Sequence, residues 1–399
     1  MKFIHFADAH LDSPFRGLSF LPSKAFNKIY NSANQSLENI VDLALKQQVD
    51  LVLIAGDTFD SSKPTPSSQL FFAKEIKRLT DAQIQVVMIF GNHDHMSDEE
   101  LLVENSPYFK LLGANEKIEK ASFKTKSDFQ YDVVGFSYLN NHIEKDMVNS
   151  FPVKGNNFTF GLMHAQEKAA TQNVYAPYTK EEIRGLNYDY FALGHIHKRQ
   201  TISEKPLAVY PGNIQGRHIN ELSEKGCYLG EVDEKSNTIK INFFKTAPIT
   251  WQEAKIEVNQ ELTKNELQRL ILENLTPTET TYYSLRVIGA QNLTDEEREL
   301  LEDSSFWLTI SLQLAEDSQL IDVRFETNEK LQLNSSDEEA FNKAEEVIFE
   351  EEFLKIASDW AKKDILSSRL INSPSFKKHV KQLAEVKVAS RLRGLNDET

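Results

Sequence analysis

Residues 84–95 read IQVVMIFGNHDH. The apolar run stops at Gly91, and Asn92, His93 and Asp94 stand together at its tip. A run of this length and β-branched character reads as a buried strand. Parallel strands covered on both faces are near-continuous in apolar residues. Open α/β sheets carry their chemistry beyond the carboxyl ends of such strands. The polar tip is therefore a candidate site.

Four other stretches end in the same way. Residues 2–7 (KFIHFA) form a first strand that runs into Asp8-Ala9-His10. Residues 50–55 (DLVLIA) form a second, ending in Gly56-Asp57. Strands at 158–162 and 188–193 end in Met163-His164-Ala165-Gln166 and Gly194-His195-Ile196-His197. Helices are expected at 32–48, where Leu37, Ile40, Val41, Ala44 and Leu45 recur at helical spacing, and at 67–80. Further strands are expected at 129–136 and 207–210, with a closing hairpin at 226–232 and 239–244. Strand–helix alternation followed by strands predicts two sheets packed face to face with helices outside.

After Thr246–Thr250 the pattern changes. A strand at 251–258, a helix at 261–275 and a strand at 282–288 predict a small α/β unit over 250–330. From Ser336 the chain is helical and charged, acidic over Glu338–Glu352 and basic over Lys377–Arg393. A length of 399 residues predicts two or three domains.

A net charge of -15 argues against a nucleic-acid coat protein, yet it leaves open an enzyme whose bound cations supply local positive charge. One cysteine, Cys227, excludes an intrachain disulfide and a multi-cysteine zinc site, and it suits a reducing cytoplasm. Asp8 interrupts any apolar leader at the N-terminus, and no apolar run is long enough for a membrane span.

The strand ends offer Asp8, His10, Asp57, Asn92, His93, His164, His195 and His197. Each piece alone has a bland reading: Gly56-Asp57 and Gly91-Asn92 are turn dipeptides, and a single histidine is more often hydrogen-bonded than a ligand. Together, each following an apolar run, they point to metal. The donors are carboxylate, imidazole and amide oxygen without sulfur, which suits manganese first and iron(II) or zinc as alternatives. So many donors suit two divalent ions about 3.5–4 Å apart rather than one.

The blocks D-A-H (8–10), G-D-T-F-D (56–60), G-N-H-D (91–94), M-H-A-Q (163–166) and G-H-I-H (194–197) resemble the five signature blocks of the calcineurin-like metallophosphoesterases, over roughly residues 1–245. Within them the chain is similar to the SbcD-type DNA repair exonucleases and to YhaO-like proteins, through DAHLDSPF near the start and YPGNIQGRH at 210–218. The resemblance implies a four-layer α/β/β/α sandwich with a small α/β capping domain and a C-terminal helical region. It implies that Asp8, His10, Asp57 and His197 hold one metal, and that Asp57, Asn92, His164 and His195 hold the second, with a bridging hydroxide as nucleophile. His93 would face the leaving oxygen, and Asp60 would orient His93. Asp94 is expected to brace the turn through backbone hydrogen bonds. Arg217 and His218 are candidates for substrate contact, because arginine fits phosphate geometry.

The function implied is a metal-dependent DNA phosphodiesterase, an exonuclease with single-strand endonuclease action. An SMC-like coiled-coil ATPase is the implied partner, and Phe376–Leu392 is its expected docking element. The resemblance is compatible with a homodimer through the 67–80 helix or the early loop. A phosphodiesterase for small or cyclic nucleotides is the alternative. A non-catalytic scaffold would lack ligands, and none is missing here.

Overall fold

A computed structural model describes residues 1–170, 173–327, 339, 343–362 and 365–396. The chain divides into two compact units, Met1–Trp251 and Gln252–Thr399.

Two six-stranded sheets build the first unit. With strands numbered in chain order, the first sheet holds β1 (Lys2–Phe6), β2 (Leu51–Ala55), β3 (Gln85–Ile89), β4 (Phe109–Leu111), β11 (Gly226–Asp233) and β12 (Thr238–Lys245), in the order β12-β11-β1-β2-β3-β4. The second holds β5 (Glu119–Lys124), β6 (Gln130–Gly135), β7 (Phe158–His164), β8 (Tyr190–Gly194), β9 (Gln200–Glu204) and β10 (Leu207–Tyr210), in the order β5-β6-β7-β8-β10-β9. The chemistry-bearing strands are parallel neighbours: β1 with β2, β2 with β3, and β7 with β8.

Side-chain alternation sorts each strand into two cores. Phe3, Leu51, Leu53, Ala55, Val87 and Ile89 face the second sheet and pack on Phe160, Leu162, Tyr190 and Ala192. Ile4, Phe6, Val52, Ile54, Val86 and Met88 face outward. There they meet Leu37, Ile40, Val41 and Ala44 of the helix Ser32–Gln47 and Phe72, Ile76 and Leu79 of the helix Pro66–Asp81. Both faces of β3 are thus covered, as its unbroken apolar run predicts. The outer face of the second sheet is covered mostly by irregular chain around Tyr138, Met147, Phe151 and Tyr178, with one short helix at Lys180–Gly185. The α/β/β/α order holds, with a thin fourth layer.

The second unit carries a three-stranded sheet, β13 (Thr250–Glu257), β14 (Thr281–Ile288) and β15 (Gln319–Glu326). The strand at 319–326 was not expected from sequence; it pairs parallel with β14. The stretches read separately as capping domain and helical region lie in this one unit, and Val386 of the helix Pro374–Asn396 shares a core with Leu285, Val323 and Phe325. Part of the acidic stretch 338–352, and the side chains of residues 389–392 in the proposed docking element, lie outside the described residues. Among the described residues no helix is long and apolar enough to cross a membrane.

Candidate metal centre

The five polar tips meet. Asp8 and His10 follow β1, Asp57 follows β2, and Asn92 and His93 follow β3, whereas His164 closes β7 and His195 and His197 follow β8. His10 Nε2 lies 3.0 Å from His197 Nε2. Asn92 Oδ1 is 3.0 Å from both His164 Nε2 and His195 Nδ1. Asp57 Oδ2 sits between the two groups, 3.3 Å from His164 Nε2 and 3.7 Å from His10 Nε2. Asp8 Oδ1 is 3.9 Å from His197 Nε2. Asp57 thus lies within reach of both groups.

The backbone is bent to aim these donors. Asp8, His10, Asp57 and His195 all have left-handed φ, at 53°, 44°, 51° and 103°. Such a conformation costs about 1–3 kcal/mol per residue and clusters at functional sites. Aspartate and histidine tolerate it better than most side chains. Main-chain bonds from Asp8 N to Gly56 O and from His10 N to Asp57 O, at 3.1 and 3.0 Å, lock the first two tips together. Asp94 staples the second to the third: Thr58 N and Gly91 N donate to its two carboxylate oxygens at 2.7 and 2.6 Å. Gly91 is required there, because a Cβ would meet Asp57 Oδ1 at 2.3 Å.

Charge and burial shape the cluster. Burial pushes His10 down to about 4 and His195 down to about 3, so both rings are neutral with a lone pair to give. Burial acts the same way on His164, but the adjoining Asp57 carboxylate outweighs it and raises His164 to about 9. Burial opposes the charge of Asp57, yet the surrounding imidazoles of His164, His10 and His93 hold its carboxyl well below the usual range. Imidazole and carboxylate donors facing one another at these distances are what a divalent cation satisfies. Three groupings, Asp8–His10–His197, Asp8–Asp57–His164 and His10–Asp60–His93, each keep their donor atoms within 4.8 Å, and the Asp60 carboxylate of the third is taken by Arg217. The residues present therefore fit two divalent ions with nitrogen and oxygen ligands.

His93 stands beside this cluster, its ring edge-to-face with His10 at 4.8 Å. Asp60 meets His93 through its main chain. Its main-chain carbonyl, not its carboxylate, accepts from His93 Nδ1 at 3.1 Å. The carboxylate is taken by Arg217, a charge-assisted bond stronger than a neutral imidazole offers, and it also lies 3.4 Å from His10 Nδ1 without completing a hydrogen bond. Arg217 accordingly faces Asp60 and Ser13. His218 is 58% exposed at the rim and outside the donor cluster.

Sequence reasoning missed Glu221. His197 Nδ1 donates to its Oε1 at 2.6 Å. Nothing in GRHINE singles this glutamate out; only the fold brings it back to a residue 24 positions earlier.

Comparison with known proteins agrees with the geometry. The family model of the calcineurin-like phosphoesterases matches residues 1–199, which hold all five tips. The uncharacterized metallophosphoesterase YhaO of Bacillus subtilis is 34% identical over 293 residues, 73% of this chain and 69% of that one. The chain belongs to the calcineurin-like phosphoesterases. Other calcineurin-like relatives are more distant. The DNA double-strand break repair protein Mre11 of Methanocaldococcus jannaschii is 26% identical, over 65% of this chain and 69% of its own. A subunit of the nuclease SbcCD of Staphylococcus epidermidis is 22% identical, over 74% and 81%.

Proposed function

We propose that this calcineurin-like phosphoesterase is a DNA phosphodiesterase of repair, an exonuclease that also cuts single strands internally. The observation that carries the reading is the convergence of six donor residues around a seventh, Asp57. Asp8, His10, Asp57 and His197 would hold one divalent cation, and Asp57, Asn92, His164 and His195 a second, with manganese favoured by the sulfur-free donor set. Bound there, two such ions supply Lewis-acid charge for a phosphoryl group and acidify water to near-neutral pKa.

The chain's own residues do the rest. Asn92 contributes a neutral oxygen, so the second site carries less negative charge than the first. His93, which shares a donor grouping with His10 and Asp60, would serve in proton transfer rather than as a ligand. Since a carbonyl only accepts, its Nδ1 carries the proton given to Asp60. Nε2 is then the nitrogen left to meet a leaving oxygen; the doubly protonated ring hydrogen-bonds that oxygen and passes it the Nε2 proton, returning to the neutral Nδ1–H tautomer. The Asp60–Arg217 pair fixes the loop that presents that carbonyl.

Support for DNA as substrate comes from the Mre11 and SbcCD relatives, a DNA repair protein and a nuclease by name. Support for a partner subunit, read here as an SMC-like ATPase, comes from the second of them being one subunit of its nuclease. The second unit adds exposed Leu354 and Ile356, 55% and 68% accessible, as apolar surface for such a partner. The test is a manganese assay that compares linear DNA ends, single-stranded circles and cyclic nucleotides, with Asp57→Ala as control. Turnover confined to cyclic nucleotides would replace the nuclease reading with the small-molecule one.

A further inference from the structure

His197 is one of two expected ligands that are only partly buried, His195 being the other. The His197 side chain is 26% exposed, whereas Asp8, His10 and His164 are at 0%. It lies beyond the end of β8, so no strand ladder fixes it. The loop between β10 and β11 holds it at two points. His197 Nδ1 donates to Glu221 Oε1 at 2.6 Å, and Lys225 Nζ donates to the His197 carbonyl at 2.7 Å. Gly212, at φ 78°, lets the loop pass this close, since a Cβ there would meet the same carbonyl at 2.8 Å.

We infer that Glu221 and Lys225 form a clasp that positions His197 in the metal centre, with Glu221 the carboxylate behind the imidazole. The inference rests on the metal-centre reading above. Glu221 is a positioning residue and is not itself free to bind metal or accept a proton. Its Oε2 accepts from Asn213 Nδ2 and from Arg217 N, both at 2.7 Å, and its Oε1 also faces His218 Nε2 at 3.3 Å. A carboxylate that takes the Nδ1 proton fixes the tautomer. It leaves the lone pair on Nε2, the atom that faces His10 Nε2 at 3.0 Å. Such a partner also stops the ring from turning and makes it a stronger donor. Lys225, 6% exposed, fixes the main chain of the same residue. A ligand that lies beyond its own strand is thus held from a segment more than twenty residues on.

The full-length protein and Glu221→Gln are compared by manganese titration calorimetry, by metal retained after dialysis, and by the visible spectrum of the cobalt-loaded form. Glutamine keeps the size of the side chain but turns an amide towards the Asn213 and Arg217 donors. The wild type is expected to retain two ions. In the variant, affinity for one of them falls by about 10–100-fold and the cobalt bands move, while the metal-stripped melting temperature in EDTA stays at the wild-type value. If Glu221→Gln melts lower when stripped, Glu221→Asp, which withdraws the carboxylate by one methylene, is measured in the same way. Wild-type affinity with an unchanged cobalt spectrum in either variant overturns the proposal, whatever its melting temperature. A wild type that retains no manganese overturns the metal-centre reading instead.

Discussion

Asn92 and His93 are chain neighbours with different environments. Asn92 Oδ1 lies in the ring of facing donors, while the His93 imidazole is tied to the Asp60 carbonyl. His93→Ala should therefore keep the metal content of the wild type and lose about 10²–10⁴-fold in turnover; metal analysis beside a phosphodiester assay checks both halves, and a fall in metal would make His93 a ligand. His5 offers a residue-scale test of stability. It is buried between the sheets, its Nδ1 is 2.9 Å from the Tyr190 hydroxyl, and burial pushes it down to about 3. Its folded pKa lies below the unfolded value of about 6.5, so the unfolded chain binds the extra proton. Stability is thus lost as pH falls from 6.5 towards 3, by up to on the order of 1.4 kcal/mol per pH unit. Urea melts of His5→Leu should show a flatter acid limb than the wild type; equal slopes would contradict the burial argument. The donor residues that meet at the strand tips were legible because each follows an apolar run. Glu221 and Lys225 were not, because they act on a residue far back in the chain. Which atom of Asp60 meets His93 was not legible either, because the partner of its carboxylate, Arg217, is 157 positions away.

At the scale of elements, β3 supplies rigidity and its exit supplies geometry. Gly91→Ala would drive a Cβ to 2.3 Å from Asp57 Oδ1 and 2.7 Å from Asp57 N. Overpacking of this kind costs about 1–3 kcal/mol, and here the strain falls on the shared carboxylate. Calorimetry should show a lower melting temperature, and dialysis the loss of both ions; a variant that keeps both would mean the β3 exit is looser than described. The buried parallel strands were readable because burial on two faces leaves an apolar run. β5 and β9 were not. β5 (EKASFK) lies at a sheet edge and exposes Lys120, Ser122 and Lys124, and β9 (QTISE) lies at the opposite edge of the same sheet. Edge strands carry polar residues that hide their pattern. β15 was missed although four of the six residues in LIDVRF are apolar, because its partner β14 lies 37 residues earlier across two helices.

On the scale of the molecule, a chain of charge -15 brings its substrate phosphate to a cluster of acids and imidazoles. Without bound cations that approach is repulsive, so metal should be required for hydrolysis rather than merely helpful. Its sandwich serves this end by setting the carboxyl ends of β1, β2, β3, β7 and β8 around Asp57. The direct measurement is hydrolysis of bis-p-nitrophenyl phosphate with manganese, for wild type and Asp57→Ala, with and without excess EDTA. The account predicts turnover by the wild type with manganese, none in EDTA, and at least about 100-fold less in Asp57→Ala. Full activity in excess chelator, or an Asp57→Ala variant as active as the wild type, would contradict it.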